Sequence, residues 1–483
     1  MITIPKEEGE LVEKDPATSV LFEWAEFLGI WLNPKLRYPV RFSPGYLGVQ
    51  TSETIHPGES ILSAPNQAML SSKYTSNPSL EPLYKASPEL FSIPDKAHED
   101  NRLLTYFIWE YSKGTSSFWF PYFEYLPKDL ETLVDWTDEE LSELQDPDLY
   151  YNAKQNQKKD FDNYKALRSA YLKFPELFCD EDVQINKIHW AWKIICTRSY
   201  LGKIPYNTLI PIADLFNHAN VNTNFFYGTE TEESPDADDL KLVETINDDD
   251  DTINDSEKVV QLSNLKLYRL SLGPPGKLNE VQMKKNNEIL REAKILDQKV
   301  FLQSKLYLEM TSATKGIDSA VTGEIDTHKF RMTCSKFETF EAGAQVFIRY
   351  GNYSNRQLLI HYGFAMKENV FNYARIKTTL EQLLDNRQKQ VLSGGYKLTD
   401  AVIFKVRNNE FCVEMLKSFR GLLWNIDVHD PEAFLNAKDL ELDLEACGKM
   451  EKFLEEFFGT FKSSIEDDER LLGSVSYKAF FSV

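Results

Sequence analysis

An α+β architecture, mainly helical around a small β-rich core, is what this 483-residue sequence predicts. Three observations carry the expectation. Apolar residues recur at helical spacing between residues 99 and 192 and again from Phe371 onward. Short strand-like pieces separated by turn residues fill residues 41–64. Strand character resumes near Leu209, breaks off after Tyr227 and returns from His328 to Tyr350. A chain of this length exceeds one compact core, so several folded units are expected.

Taken in order, residues 21–32 place Leu21, Trp24, Ala25, Leu28 and Trp31 or Leu32 on one face, which predicts an amphipathic opening helix with a core stripe. Gly45-Tyr46-Leu47-Gly48-Val49, His56-Pro57-Gly58-Glu59 and the run from Ser60 to Ala64 then read as a small β-meander. Leu103, Leu104, Phe107, Ile108 and Tyr111 mark a helix face, and Thr137 with Glu140 forms a capping box that opens another helix. Residues 229–327 differ in composition: Glu232-Glu233, Asp236, Asp238-Asp239 and the run Asp248-Asp249-Asp250-Asp251 repel one another and predict a solvated, acidic insertion. A polar helix over residues 284–310 is expected within it. Leu380, Leu383 and Leu384, then residues 411–424 and 450–461, extend the helical reading to the end.

Composition excludes several classes. The net charge of −21 argues against a nucleic-acid binder, since phosphates require a basic footprint, and favours a basic partner instead. Five cysteines lie far apart without a Cys-x-x-Cys pair, and the seven histidines show no metal spacing, so no metal is expected and a reducing compartment fits best. The N-terminus has neither a basic nor an apolar leader segment, and no window approaches eighteen consecutive apolar residues. A protein of the cytoplasm or nucleus, acting as a monomer away from membranes, is the expectation.

The informative strings are Ala213-Asp214-Leu215-Phe216-Asn217-His218 and Tyr350-Gly351-Asn352-Tyr353-Ser354-Asn355, the latter continuing through Leu358-Leu359 to Tyr362-Gly363-Phe364. Taken alone, an Asn-His pair after an apolar run reads as a helix cap beside a core histidine, and Tyr-Gly-Phe as a helix C-cap with two packed aromatics. Two further stretches accompany them: Trp119-Phe120-Pro121-Tyr122-Phe123-Glu124-Tyr125-Leu126-Pro127 and Thr197-Arg198-Ser199-Tyr200. With the Gly45 to Gly48 turn, these ordered segments resemble the SET-domain protein-lysine methyltransferases of the Rubisco large-subunit methyltransferase type, a class that includes ribosomal-protein and elongation-factor lysine methyltransferases. The resemblance runs from about Gly45 to Phe364 and more loosely to the C-terminus.

That resemblance implies a knotted, β-rich SET core with a helical insertion and a helical C-terminal substrate-binding domain. The units would be 1–95 and 191–228 with 328–366 for the core, 96–190 for the helical insertion, 229–327 for the acidic insertion and 367–483 for the C-terminal domain. It implies methyl transfer from S-adenosyl-L-methionine to a lysine of a non-histone protein, with a ribosomal protein or translation factor favoured by charge. Such a transfer needs donor and acceptor aligned in line, and an aromatic channel that admits the amine uncharged.

By the same resemblance, Gly45, Tyr46, Leu47 and Gly48 would approach the cofactor, glycine permitting close contact. Arg198, Asn217, His218 and Tyr350 would bind it too. Tyr350 would be the principal channel tyrosine, with Tyr362 opposite; these two are the candidate catalytic residues. Arg198, Asp214, Phe226, Tyr350, Tyr362 and Phe364 would contact the acceptor, Phe364 helping to set how many methyl groups fit. Phe226 or Tyr227 would complete the channel, and Arg198 and Asp214 could equally form a buried structural pair. Pro44 stands where the family commonly has an acidic residue. Histidine methylation on the same fold and a non-catalytic SET-like binding module remain the alternatives.

Overall fold

A computed structural model of the chain describes residues 1–43, 45–71, 77–93, 95–200, 204, 206–229, 328–384, 389, 401–406, 412–423, 440–461 and 463. The acidic run and the polar helix expected over residues 284–310 lie outside the described residues.

The opening helix is Pro16–Phe27. Asp15 caps it by accepting from the Thr18 N–H, and Pro16 sits at the first turn, where its missing donor costs nothing. It ends earlier than the apolar stripe suggests, because Gly29 takes a left-handed φ of 82°. Trp31–Leu32 consequently becomes a strand against Ser63 and Leu62. The strands Leu36–Phe42 and Leu47–Thr51 pair antiparallel, but Ser60–Pro65 leaves them and joins Lys329–Thr333, so the expected meander is split between two sheets. Ile55 makes this break by bridging to Phe340 through main-chain bonds in both directions. The order of the four-stranded sheet is Asn224–Gly228, Lys329–Thr333, Ser60–Pro65, Trp31–Leu32.

What positions the site is the path of residues 344–350. Val346 donates its N–H to Val49 at 2.8 Å, Ile348 donates to Asn217 at 3.0 Å and Arg349 donates to Thr223 at 3.0 Å. This stretch therefore runs between the strand Leu47–Thr51 and the loop after Phe216, the crossing that a knotted core requires. His218 and Ile348 form a parallel bridge there. The two sequence motifs, remote along the chain, are thus joined backbone to backbone.

The helical insertion packs beside this core. Lys96–Ser112 buries Leu103, Leu104, Phe107 and Ile108 as the spacing predicts, and Thr137 and Glu140 form the expected capping box. Pro147–Tyr171 and Ile185–Arg198 follow. One apolar core extends from Leu21 to Ile348 and includes fully buried Phe91, Phe107 and Phe123. Each such side chain contributes about 1.5–3 kcal/mol of hydrophobic stabilisation.

A second core gathers Ile376, Leu380, Val402, Phe404, Met415 and Phe419. Here the helical reading needs correction, since Ala374–Thr379 and Ala401–Val406 form an antiparallel pair. Ile376 and Thr378 alternate inward, a period of two that the neighbouring leucines obscured. The helices Val413–Leu423 and Leu440–Phe458 pack on this unit.

Candidate active site

Two clefts meet at Tyr350. The first, a narrow cavity of about 70 Å³, is lined by Arg198, Tyr200, Asp214, Phe225, Tyr350 and Tyr362, among others. The second, of about 280 Å³, is lined by Tyr46, Asn217, His218, Tyr350, Phe364 and their neighbours. Tyr350 is the residue shared by both.

Its hydroxyl donates to the Phe216 carbonyl at 2.9 Å. Burial pushes the phenol well above its ordinary pKa, so the hydroxyl keeps its proton and its oxygen can still accept. The ring lies 5.0 Å from that of Tyr362 and 5.1 Å from that of His218. Tyr362 ends the helix Asn355–Tyr362, which opens with a Ser354–Gln357 capping box and closes on Gly363 at φ 79°. The C-cap reading of Tyr362-Gly363-Phe364 is therefore correct as local structure. The cap also sends Tyr362 and Phe364 to different clefts, so Phe364 faces His218 at 6.2 Å and lines the second cleft, not the first.

Arg198, the last residue of Ile185–Arg198, donates from Nη1 to the Asp214 carbonyl at 3.1 Å and to Asp214 Oδ2 at 3.3 Å. The side chains are 13% and 1% exposed, so this is the buried pair that the sequence left open, and it also lines the first cleft. Burial raises the Asp214 carboxyl, with Arg198 and the Tyr122 hydroxyl opposing the rise. Burial likewise opposes the Arg198 charge, but Asp214 together with Tyr125, Tyr122 and Tyr350 more than offsets it and lifts the guanidinium above its usual range. The turn that presents Asp214 begins at Ile212, a β-branched residue at φ 71°, which is strained backbone of the kind found at functional sites.

On the other side, Asn217 Nδ2 donates to the Leu47 carbonyl at 2.9 Å and ties the motif to the Gly45 to Gly48 turn. A Cβ on Gly48 would meet Asn217 Nδ2 at 2.8 Å and the Gln345 amide more closely still. Gly48 is thus required for close approach, but of these two side chains. Gly45, at φ 144°, has open space beside it, and its carbonyl accepts from Arg41 at 3.5 Å. The Tyr46 hydroxyl, pushed up to about 12 by burial and by Glu7, donates to Gln345 Oε1 at 3.3 Å.

His218 Nδ1 accepts the Tyr350 main-chain N–H at 3.1 Å, which places the ring proton on Nε2. That nitrogen is buried without a partner. Burial pulls the imidazole down to about 4, so it is neutral near pH 7.

Phe226 does not reach the cleft. The strand Asn224–Gly228 alternates, turning Phe225 into the cleft and placing Phe226 5.0 Å under the Arg331 guanidinium. Tyr227 shares the face of Phe225, but its hydroxyl donates to Asn66 Oδ1 at 2.9 Å, and neither residue lines the first cleft. The period-two rule could have separated the faces had the strand register been known.

Sequence reasoning also missed Tyr122, Tyr353 and Glu338. Tyr122 lay inside a quoted string without an assigned role; its hydroxyl donates to Asp214 Oδ2 at 2.9 Å. Glu338 is fully buried and accepts from the Thr223 N–H and hydroxyl, both at 2.8 Å, pinning the loop that follows His218. Nothing in the sequence around it signals this. Among the described residues no group of side chains could hold a metal ion, and no helix is long and apolar enough to cross a membrane.

No protein-family model matches the chain. An actin-histidine N-methyltransferase of Xenopus tropicalis is 23% identical over 181 residues, which are 34% of this chain and 31% of that protein; the chain thus spans about a third of that relative's length. Among solved structures, Rubisco LSMT bound to sinefungin and monomethyllysine superposes with a TM-score of 0.53 at 15% identity, over 96% of this chain and 86% of that one. The SET domain of LSMT bound to lysine and AdoHcy gives 0.51 at 15% identity, with the same coverage. The architecture of this chain, sheets, crossing segment and helical additions together, is the SET fold of those LSMT structures.

Proposed function

We propose that this chain is an S-adenosylmethionine-dependent protein-lysine N-methyltransferase acting on a non-histone protein, a ribosomal protein or translation factor. The observation that carries the reading is Tyr350, which is common to both clefts. One pocket for a donor and another for an acceptor, joined at a phenol, suit a group transfer between two bound molecules. The LSMT structures of the same fold hold AdoMet, AdoHcy or sinefungin, two of them with lysine or monomethyllysine, which supports the donor and acceptor assigned here.

The residues of the second cleft fit such a donor. His218 Nε2 is a shielded donor without an acceptor, Asn217 is anchored to the first turn, and Tyr46 and Phe364 offer aromatic surface. Those four, with the main chain at Leu47 and Gly48, would hold S-adenosylmethionine. When bound, that molecule supplies an activated methyl group.

The chain's own contribution is placement. Tyr350, Tyr362, Phe225 and Tyr200 exclude water from the first cleft, and loss of water favours the uncharged form of an entering amine. Because Tyr350 gives its proton to the Phe216 carbonyl, its oxygen accepts an N–H of the amine and orients the nitrogen lone pair. Arg198 and Asp214 hold the floor of that cleft through a buried, oriented pair. The C-terminal unit around Ile376 and Phe404 is assigned to docking the substrate protein, and the −21 charge to attracting a basic one.

Histidine as the acceptor is the second reading, supported by the likeness to the actin-histidine enzyme. Two measurements separate these readings from each other and from a non-catalytic binding module. Calorimetry should find S-adenosylmethionine binding to the pure protein. Labelled donor should then mark a protein in an extract of cells lacking this chain, and mass spectrometry should place the label on lysine. Label on histidine would replace the acceptor, and no cofactor binding would overturn the enzyme reading.

A further inference from the structure

A further cavity lies beside the opening helix. It is a groove of about 500 Å³, larger than either cleft of the site, and its walls include Lys14, Phe22, Glu23, Glu26, Trp31 and Ile212. The Phe22 ring is held by stacking on buried Tyr38 at 5.9 Å, and Lys14 Nζ stands over it, 4.1 Å from the centroid. This aromatic surface thus already accepts an ammonium group. Trp31 is 45% exposed, and on the outward side of the same helix Phe27 is 82% exposed. Large apolar side chains left in water beside a groove mark a surface that a partner covers.

Glu23 and Glu26 stand three residues apart towards the C-terminal end of the helix Pro16–Phe27, where the helix dipole is negative and carboxylates are unfavourable. No basic residue stands in the last turn, and among the described residues neither glutamate side chain has an ion pair or a hydrogen bond. These charges do nothing for the helix, and they suit a cation brought from outside. The groove also borders the site: Ile212 lines it, and Asp214, two residues on, lines the first cleft.

We infer that this groove is a docking site for the protein acceptor, taking a lysine or arginine side chain and an adjacent apolar residue that lie apart from the residue being methylated. The inference rests on the methyltransferase reading. The incoming cation displaces Lys14 from Phe22 and meets Glu23 and Glu26, while its apolar neighbour covers Trp31. Charge selects this occupant over a second copy of the chain, which carries the same net −21 and is repelled.

The probe is a fluorescein-labelled peptide of alternating leucine and arginine, which offers both chemistries and no lysine to methylate. Fluorescence anisotropy should show it binding to the pure protein, less tightly as salt is raised. Glu23→Gln combined with Glu26→Gln should weaken it about tenfold, the size of two exposed ion pairs lost together. Trp31→Thr, which suits the strand and removes the aromatic wall, should weaken it by a similar factor. Glu139→Gln combined with Glu143→Gln makes an equal change of charge on the helix Asp138–Glu143 and should leave binding unchanged. In the transfer assay, with labelled S-adenosylmethionine and serial dilutions of the extract from cells lacking this chain, the Glu23 and Glu26 double variant should raise the half-saturating extract concentration about tenfold. Its turnover at saturation and its S-adenosylhomocysteine affinity should match the wild type.

Equal weakening by the Glu139 and Glu143 double variant would mean a diffuse field instead of a groove, and would overturn the inference. So would a wild-type protein that does not bind the peptide, or acceptor saturation unchanged by the loss of both glutamates; each leaves the enzyme reading intact. Peptide binding that appears only after residues 277–305 are deleted would seat the chain's own lysine-rich stretch, with Lys284, Lys285 and Lys294, in the groove instead. No transfer by the wild-type protein, with the peptide bound as expected, would overturn the enzyme reading and with it the acceptor as occupant.

Discussion

The two clefts that share Tyr350 are built on opposite principles. The first rests on a buried ion pair, Arg198 and Asp214, with tyrosine hydroxyls supplied by separate segments of the chain. The second is walled by Asn217, neutral His218 and a glycine turn, held together largely through the main chain. A charged floor fails when one partner is removed, because the other is stranded without water. A neutral, main-chain floor fails when its shape changes. The two sides should therefore answer differently to substitution.

The sharpest contrast comes from Arg198→Ala. It leaves Asp214 buried and unpaired, and the unfolding free energy should fall by about 3–5 kcal/mol. Denaturant titration measures this. A loss within the range of a surface pair, below about 1 kcal/mol, would mean that the first cleft is not built on charge.

Tyr350→Phe tests the point where the clefts meet. The ring remains and both walls keep their packing, so stability and S-adenosylhomocysteine affinity should barely change. Turnover should fall about 10²–10³-fold, as for loss of one preorganised polar group at the reacting centre. Equal losses in turnover and cofactor affinity would place the hydroxyl in binding instead of in orienting the acceptor.

The same contrast explains what could be read from the sequence. Strings that act through local chemistry were legible: the Thr137–Glu140 capping box and Gly363 as a helix cap. Groups that act through distant pairing were not. Phe225 and Phe226 are adjacent and chemically alike, and the pairing Phe226↔Arg331 that sets their faces is made with a strand more than a hundred residues away. Glu338 pins Thr223 across a similar distance, and no local pattern marks it. The helix forecast around Phe371 failed because Ala374–Thr379 is stabilised by its partner strand, Ala401–Val406, and intrinsic preference yields to such tertiary pairing.

On the neutral side, His218 predicts a pH dependence. In the unfolded chain the ring takes up a proton near pH 6.5, but in the fold only near 4, because burial disfavours its charge. Between those values the unfolded state holds more protons, so stability falls as pH drops from about 6.5 towards 4. The loss attributable to this residue is up to about 3 kcal/mol by linkage. His218→Gln, which can still accept the Tyr350 N–H but does not titrate, should flatten that part of the profile. Parallel melting curves for the two proteins across this range would show that His218 is not held neutral.

The smallest expected effect isolates shape alone. Gly48 has no unusual φ, so alanine there brings no backbone strain; its only fault is volume, since the added Cβ lies 2.8 Å from Asn217 Nδ2 and against the Gln345 amide. Both side chains must yield, and the Asn217 bond to the Leu47 carbonyl yields with them. Overpacking of this kind costs about 1–3 kcal/mol. Calorimetry with S-adenosylhomocysteine should show the loss as weaker binding, while saturation by the protein acceptor, measured at saturating cofactor, stays as in the wild type. Gly48→Ala that weakened both equally would mean the two floors are mechanically one, coupled through the 344–350 segment that lies between them.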